Sequence, residues 1–127
     1  MPDIHEQSIA KVGECLRRGD VGVVELTRIM LDRIAARDGE LNSFITVTDE
    51  LALAQAARAE RELRTGHDRG PLHGVPIALK DLIETKDIRT TFASRAYANH
   101  IPGKDATVVK HLAEAGAVLL GKTNLSE

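Results

Sequence analysis

The sequence has few aromatic residues and a single cysteine. Two phenylalanines, one tyrosine and no tryptophan occur among 127 residues, and the formal net charge is −2. Direct binding of nucleic acid needs a basic surface, often with interleaved aromatic side chains, so this composition argues against a nucleic-acid partner. The single Cys15 excludes a disulfide within the chain and favours a reducing compartment. We therefore expect a cytoplasmic location.

Long hydrophobic runs are also absent. No stretch approaches the roughly 20 apolar residues that cross a membrane, so we expect no membrane contact. The first residues, Met1 to Glu6, lack the basic and apolar regions of a secretory signal. Hydrophobic residues make up 43% of the chain and charged residues 28%, as in ordinary globular domains. We expect one structural unit over residues 1–127.

The stretch from Gly70 to Asp81 has the most informative pattern. It contains two glycines and two prolines and an apolar run, Val75 to Leu79, which predicts a buried strand. Lys80 follows this run directly. A buried ammonium is costly unless it is paired, and burial favours the neutral amine, which is a base. Lys80 is therefore either a catalytic base or one half of a salt bridge with Asp81 or another acid.

Four segments in sequence order resemble the amidase signature family. They are Gly70–Asp81, Arg89–Thr91, Asp105–Val109 and Gly116–Asn124, and they have the order and spacing of that family. The resemblance extends from about Ile4 to Glu127. It implies an α/β fold in which helices are layered on a mixed, largely parallel sheet, with a helical N-terminal part. Residues 1–127 would be a single N-terminal portion of the family's α/β/α sandwich.

The resemblance also implies a mechanism, the hydrolysis of an amide by a Ser–cis-Ser–Lys triad. Lys80 matches the triad lysine, which takes a proton through the bridging serine while the second serine attacks the amide carbonyl. Both serines normally lie in a Gly/Ser-rich segment that follows the Gly-Lys-Thr-Asn stretch, and this sequence ends at Glu127, before such a segment. We expect the chain alone to be inactive, because the loss of one member of a catalytic triad also removes the catalytic contribution of the others. The resemblance implies no cofactor and no metal.

Three functions are consistent with this pattern. The first is the N-terminal portion of an amidase that cleaves a non-peptide carbon–nitrogen bond in a small-molecule amide. The second is the A subunit of a tRNA-dependent amidotransferase, which commonly has Asn after its Lys-Asp pair; this chain has Leu82, which favours the free-standing amidase. The third is a non-catalytic fragment that binds a partner. Because a cut α/β layer exposes a strand edge, we expect association with the missing remainder or a homodimer.

Hydrophobic periodicity predicts the helices and strands around these motifs. We expect helices over Ile4–Arg17, from Val23 to about Asp38, over Asp49–Thr65 and over Ala106–Ala115, and strands over Ser43–Thr48, Val75–Leu79, Ile88–Thr91 and Ala117–Leu120. Asp105 is the expected cap of the last helix, and Ser94–Asn99 is expected to make a helical turn. A helix followed by an all-apolar strand is typical of α/β layering.

Two motifs suggest other chemistry but have simpler explanations. Gly116–Thr123 matches the phosphate-loop pattern, but its middle residues, Ala117 to Leu120, are apolar and predict a strand where a phosphate loop has a flexible turn. His73 is expected to be a hydrogen-bonded structural residue, since the triad mechanism needs no histidine. No two histidines have the spacing of a helical zinc site.

Overall fold

Residues 3–125, the part of the chain that the computed structural model describes, form four α-helices and three β-strands. The helices are α1 (Ile9–Arg18), α2 (Val23–Leu41), α3 (Asp49–Arg64) and α4 (Thr107–Glu114), and the strands are β1 (Phe44–Val47), β2 (Pro76–Lys80) and β3 (Val118–Thr123). Short 3-10 turns occupy Ile4–Glu6 and Arg95–Tyr97. Across this described range, none of the helices has the length and apolar character that a bilayer crossing requires.

The three strands form a mixed sheet, as the family resemblance implies. The strand order is β1-β3-β2, with β3 antiparallel to β1 and parallel to β2. The connection between the parallel strands contains α4, because parallel strands need a long crossover. In this strand order β2 lies at one edge of the described sheet, and its last residue is Lys80.

Two apolar clusters pack against β3 from opposite sides. The larger cluster contains Leu120 with residues of α1, α2 and α3, and the smaller contains Leu119 with Leu79 of β2 and Val109 of α4. Leu119 and Leu120 are neighbours in the chain and point to opposite faces of the strand. Helices therefore cover the central strand on both faces, which confirms the predicted layering.

Local capping determines where the helices begin and end. α1 begins at Ile9 because the Ser8 hydroxyl accepts a hydrogen bond from the Lys11 N–H at 3.2 Å. The prediction of a continuous helix from Ile4 is therefore wrong. α1 ends as expected at Gly19, which has the left-handed φ of 77° that glycine adopts readily.

The segment between β2 and α4 differs from two predictions. Residues 88–91 are not a strand, and the region contains one isolated bridge between Thr85 and Ile88. Asp105 does not cap α4; its carboxylate accepts a hydrogen bond from the Lys86 N–H at 2.7 Å instead, and Ala106 occupies the cap position. The predicted helical turn after Ser94 is confirmed.

We predict that Gly121→Ala will disrupt the pairing of β1 with β3. A Cβ at Gly121 would collide with the Thr46 carbonyl oxygen and lie 2.9 Å from the Phe44 ring. Overpacking of this kind costs about 2 kcal/mol of unfolding free energy, measurable by urea denaturation followed by circular dichroism. Gly39→Ala is the matched control, because a Cβ there meets open space within α2 and alanine favours helix. Equal midpoints for the two variants would contradict the close approach.

Candidate functional site

Lys80 ends β2, and its side chain is exposed. Its two neighbours are buried, Leu79 at 6% and Asp81 at 0% exposure, so strand alternation places the Lys80 side chain on the opposite face. Ala78 shares that face and is also exposed. The expectation that Lys80 is buried is therefore wrong for the described residues, because nothing among them covers this face at the end of the edge strand.

The buried lysine of the structure is Lys122 on β3, at 0% exposure. Its Nζ donates hydrogen bonds of 2.8 Å to the Ile83 carbonyl and to the Thr90 hydroxyl. The same Nζ lies 3.8 Å from Oδ1 of Asp81. Burial lowers the pKa of Lys122, while the Asp81 carboxylate opposes that shift. Asp81 thus pairs with Lys122, which contradicts the alternative that it forms a salt bridge with Lys80.

Asp81 is bound through its backbone and its side chain. Its N–H donates to the Thr123 carbonyl at 2.9 Å, and its own carbonyl accepts from the Phe92 N–H at 2.9 Å. Oδ2 accepts from both the N–H and the hydroxyl of Thr91. Within residues 3–125, Oδ1 accepts no hydrogen bond and faces Lys122. Asp81 therefore links β3, the loop after β2 and the buried lysine.

The turn that follows Thr91 has a strained backbone. Phe92 and Ala93 have φ values of 55° and 56°, a left-handed conformation that is uncommon outside glycine. The Thr91 hydroxyl accepts a hydrogen bond from the Ala93 N–H at 3.3 Å, and the Phe92 N–H binds Asp81. Such strain concentrates at functional sites, and this turn is bonded directly to the residue after Lys80.

The Gly-Lys-Thr sequence lies inside β3. Lys122 is buried against protein acceptors, so the predicted strand is confirmed and the phosphate-loop interpretation does not apply. Sequence reasoning missed Lys122, although a signal was present: it follows the apolar run Ala117–Leu120, as Lys80 follows Val75–Leu79. A lysine that follows an apolar run is unusual, and the sequence has this pattern at both positions.

His73 is buried and supports the turn that leads into β2. Its Nδ1 accepts a hydrogen bond from the Arg69 N–H at 3.0 Å, and its Nε2 lies 3.3 Å from Oε1 of Glu62. The Arg69 guanidinium binds the same carboxylate at 2.7 Å. The hydrogen bond from Arg69 is the main reason that the pKa of Glu62 falls to about 2. The structural interpretation of His73 is confirmed.

Comparisons with known sequences find a family profile and relatives that match this chain. The family profile described as Amidase matches residues 25–127. The chain is 48% identical over 127 residues to the glutamyl-tRNA(Gln) amidotransferase A subunit of Dehalococcoides mccartyi, a match that covers 100% of this chain and 26% of that relative. It is 46% identical over 125 residues to the A subunit of the Geobacter metallireducens enzyme, over 98% of this chain and 26% of that relative.

Comparisons with solved structures show the same fold. The native peptide amidase from Stenotrophomonas maltophilia matches with a TM-score of 0.90 and 42% identity, over 96% of this chain and 25% of that one. A bacterial aryl acylamidase of the amidase signature family matches with a TM-score of 0.85 and 27% identity, over 93% of this chain and 25% of that one. The chain spans about a quarter of the length of these relatives.

We predict that an amine-reactive ester will modify Lys80 and spare Lys122. Lys80 is exposed, whereas Lys122 has no exposed surface and uses its amine in two hydrogen bonds. Because modification of Lys122 requires local opening, its rate should be lower by about tenfold or more. Mass spectrometry of a digest measures both rates, and in urea they should converge. Comparable rates in the folded chain would contradict the assignment of burial.

We predict that Glu62→Gln will weaken the fold at neutral pH and that this difference will vanish in acid. The folded-state pKa of Glu62, about 2, lies below the ordinary value of 4.5. Its carboxylate therefore stabilises the fold above pH 4.5, and the contribution is lost as pH falls from about 4.5 to about 2. Urea midpoints measured across this range test the prediction, with the exposed Glu40→Gln as control. A difference that stays constant with pH would contradict it.

Proposed function

Because this chain belongs to the amidase family, we propose that Lys80 is the base of an amide hydrolase and that residues 1–127 form the N-terminal portion of its catalytic domain. The observation that carries this proposal is the position of Lys80. Its side chain is exposed at the carboxyl end of a parallel strand, where α/β enzymes bind their ligands. Its neighbours Leu79 and Asp81 are buried and fix the backbone on either side.

The proposed reaction needs groups beyond the described residues. In the triad that the resemblance implies, two serines outside this chain supply the bridge and the nucleophile. We propose that the segment carrying these serines also covers the open face at Ala78 and Lys80, excludes water, and so favours the neutral amine.

The same segment, or a second copy of the chain, would cover the exposed parts of the sheet. β2 is an edge strand of the described sheet. Beside it lies an apolar groove whose lining includes Ile77, Leu79, Val109, Leu112 and Leu119. Unpaired strand edges and apolar grooves favour association. Association with the remainder is therefore the first proposal, and a homodimer is the alternative.

The proposed substrate is a small molecule with a carboxamide, cleaved to a carboxylate and either ammonia or an amine. The bond would be a carbon–nitrogen bond outside the peptide backbone. We place the enzyme in the cytoplasm, a proposal supported by the single buried Cys15. No contact between this chain and nucleic acid is proposed, since the net charge is −2.

A second candidate function is that of an amidotransferase A subunit. It is favoured by relatives of that name at 42–48% identity. In that role the hydrolysis at Lys80 would supply ammonia to a partner in a complex that acts on glutamyl-tRNA. The two candidates share the chemistry at Lys80 and differ in partners. Leu82, which favours the free-standing amidase, is half exposed directly after the Lys80–Asp81 pair.

Two full-length chimeras test the proposed function. In the amidase chimera, residues 1–127 replace the matching quarter of the Stenotrophomonas maltophilia peptide amidase; in the amidotransferase chimera, they replace that of the Dehalococcoides mccartyi relative. We predict that the 127-residue chain alone hydrolyses no amide and that the amidase chimera hydrolyses a substrate of its parent. Lys80→Ala should lower kcat about a thousandfold or more, because the members of a triad act as one unit.

Lys104→Ala is the matched control, since Lys104 is also an exposed lysine after β2. It should leave kcat unchanged. Retention of activity in Lys80→Ala would contradict the catalytic role. Activity confined to the amidotransferase chimera, and dependent on the other proteins of the parent complex, would favour the second candidate function.

A further inference from the structure

We propose that Lys122 is a positioning residue for the reaction at Lys80: it holds Asp81 and the loop after β2, and through them it fixes the place from which the Lys80 side chain projects. This inference rests on the proposed function of Lys80. It concerns a residue on a different strand, whose side chain lies on the opposite face of the sheet from the Lys80 amine.

The register of β2 and β3 establishes this arrangement. Lys122 lies opposite Leu79, and Thr123 lies opposite Lys80. Cross-strand partners share a face of the sheet, and successive residues alternate between faces. Leu79 and Lys122 are therefore on the buried face, where Asp81 also lies, and Lys80 projects from the other face. The backbone of Lys80 is therefore held between Leu79 and Asp81, whose side chains are fixed on the buried face.

Lys122 also binds the loop that closes over this buried face. Its two hydrogen bonds reach the Ile83 carbonyl, just after Asp81 in the chain, and the Thr90 hydroxyl. Thr90 is itself fully buried, and its N–H donates to the His100 carbonyl at 2.9 Å. One ammonium therefore connects β3 to two points of the loop after β2. The next residues of that loop, Thr91 and Phe92, bond directly to Asp81.

The energetics favour a positioning role over a stabilising one. Removing two charges from water is expensive, and a well-packed apolar pair in their place is often at least as stable. Here the ion pair is separated by 3.8 Å, and Oδ1 of Asp81 accepts no hydrogen bond from the described residues. The carboxylate is the one titratable group that they place against the Lys122 amine. Such a pair contributes geometric specificity, since it defines one arrangement of strand and loop.

The test uses the active amidase chimera and a conservative pair of variants. Thr90→Val removes a hydroxyl that accepts from Lys122 and keeps the side-chain volume, whereas Thr90→Ser keeps the hydroxyl. We expect Thr90→Val to lower kcat about tenfold and Thr90→Ser to restore most of it, with KM nearly unchanged in both. Misplacement by about 1 Å can cost as much as a hundredfold in rate.

Removal of the ammonium itself is the stronger variant. Lys122→Met should lower kcat about a hundredfold, since it leaves the Asp81 carboxylate buried without its cation. The double variant Lys122→Met with Asp81→Asn should regain part of that loss, because no unpaired charge remains. Leu26→Ala is the matched stability control. It creates a cavity in the larger cluster, away from the end of β2, and should lower the unfolding temperature while kcat at low temperature stays unchanged.

The outcomes separate this inference from the proposed function. If Lys122→Met and Thr90→Val lower the unfolding temperature as Leu26→Ala does but keep the parental kcat, Lys122 has a structural role and the inference is overturned. If Lys80→Ala remains active, the proposed function fails and the inference fails with it. Should Lys122→Met not fold, the Thr90 pair decides: equal kcat for the Val and Ser variants overturns the positioning role.

Discussion

The buried contact between Lys122 and Asp81 is the interaction on which the candidate site depends. It joins the central strand β3 to the residue that follows Lys80, and the hydrogen bonds of the same ammonium extend to Ile83 and Thr90. Without it, the end of β2, an edge strand among the described residues, would keep its backbone pairing with β3 and the bonds of Asp81 to Thr91 and Phe92, but it would lose its side-chain link to β3. The strained turn at Phe92 would also lose part of the framework that holds it in a left-handed conformation.

Much of the fold was accessible from the sequence, because apolar periodicity and glycine positions determine it locally. The four segments that resemble the amidase signature family predicted a mixed α/β fold, and the family profile and solved structures confirm that resemblance. The strand nature of Val118–Leu120 followed from its composition alone. The wrong predictions concern places where a single hydrogen bond determines the local structure. The Ser8 hydroxyl caps α1, so that helix begins after Ser8, and the Asp105 carboxylate binds the Lys86 N–H and does not cap α4.

The burial of the two lysines could not be assigned from the sequence. Both follow apolar runs, and the run alone does not say which face of a strand is covered or which strand is central. Lys122 lies on the face that the loop after β2 covers, so it is enclosed. Lys80 lies on the opposite face, which the described residues leave open at the end of β2. A sequence motif identifies the proposed catalytic lysine. The lysine that pairs with Asp81 is identified only by the three-dimensional packing.

A crystal structure of the full-length amidase chimera tests the catalytic role of Lys80 most directly. We expect the Lys80 Nζ to lie within hydrogen-bonding distance of a serine hydroxyl contributed by the parent enzyme, in a site closed to bulk water. We also expect Lys122 to face Asp81 beneath the strand, as it does here. A chimera in which the Lys80 amine projects into open solvent, with no serine near it, would contradict the central claim.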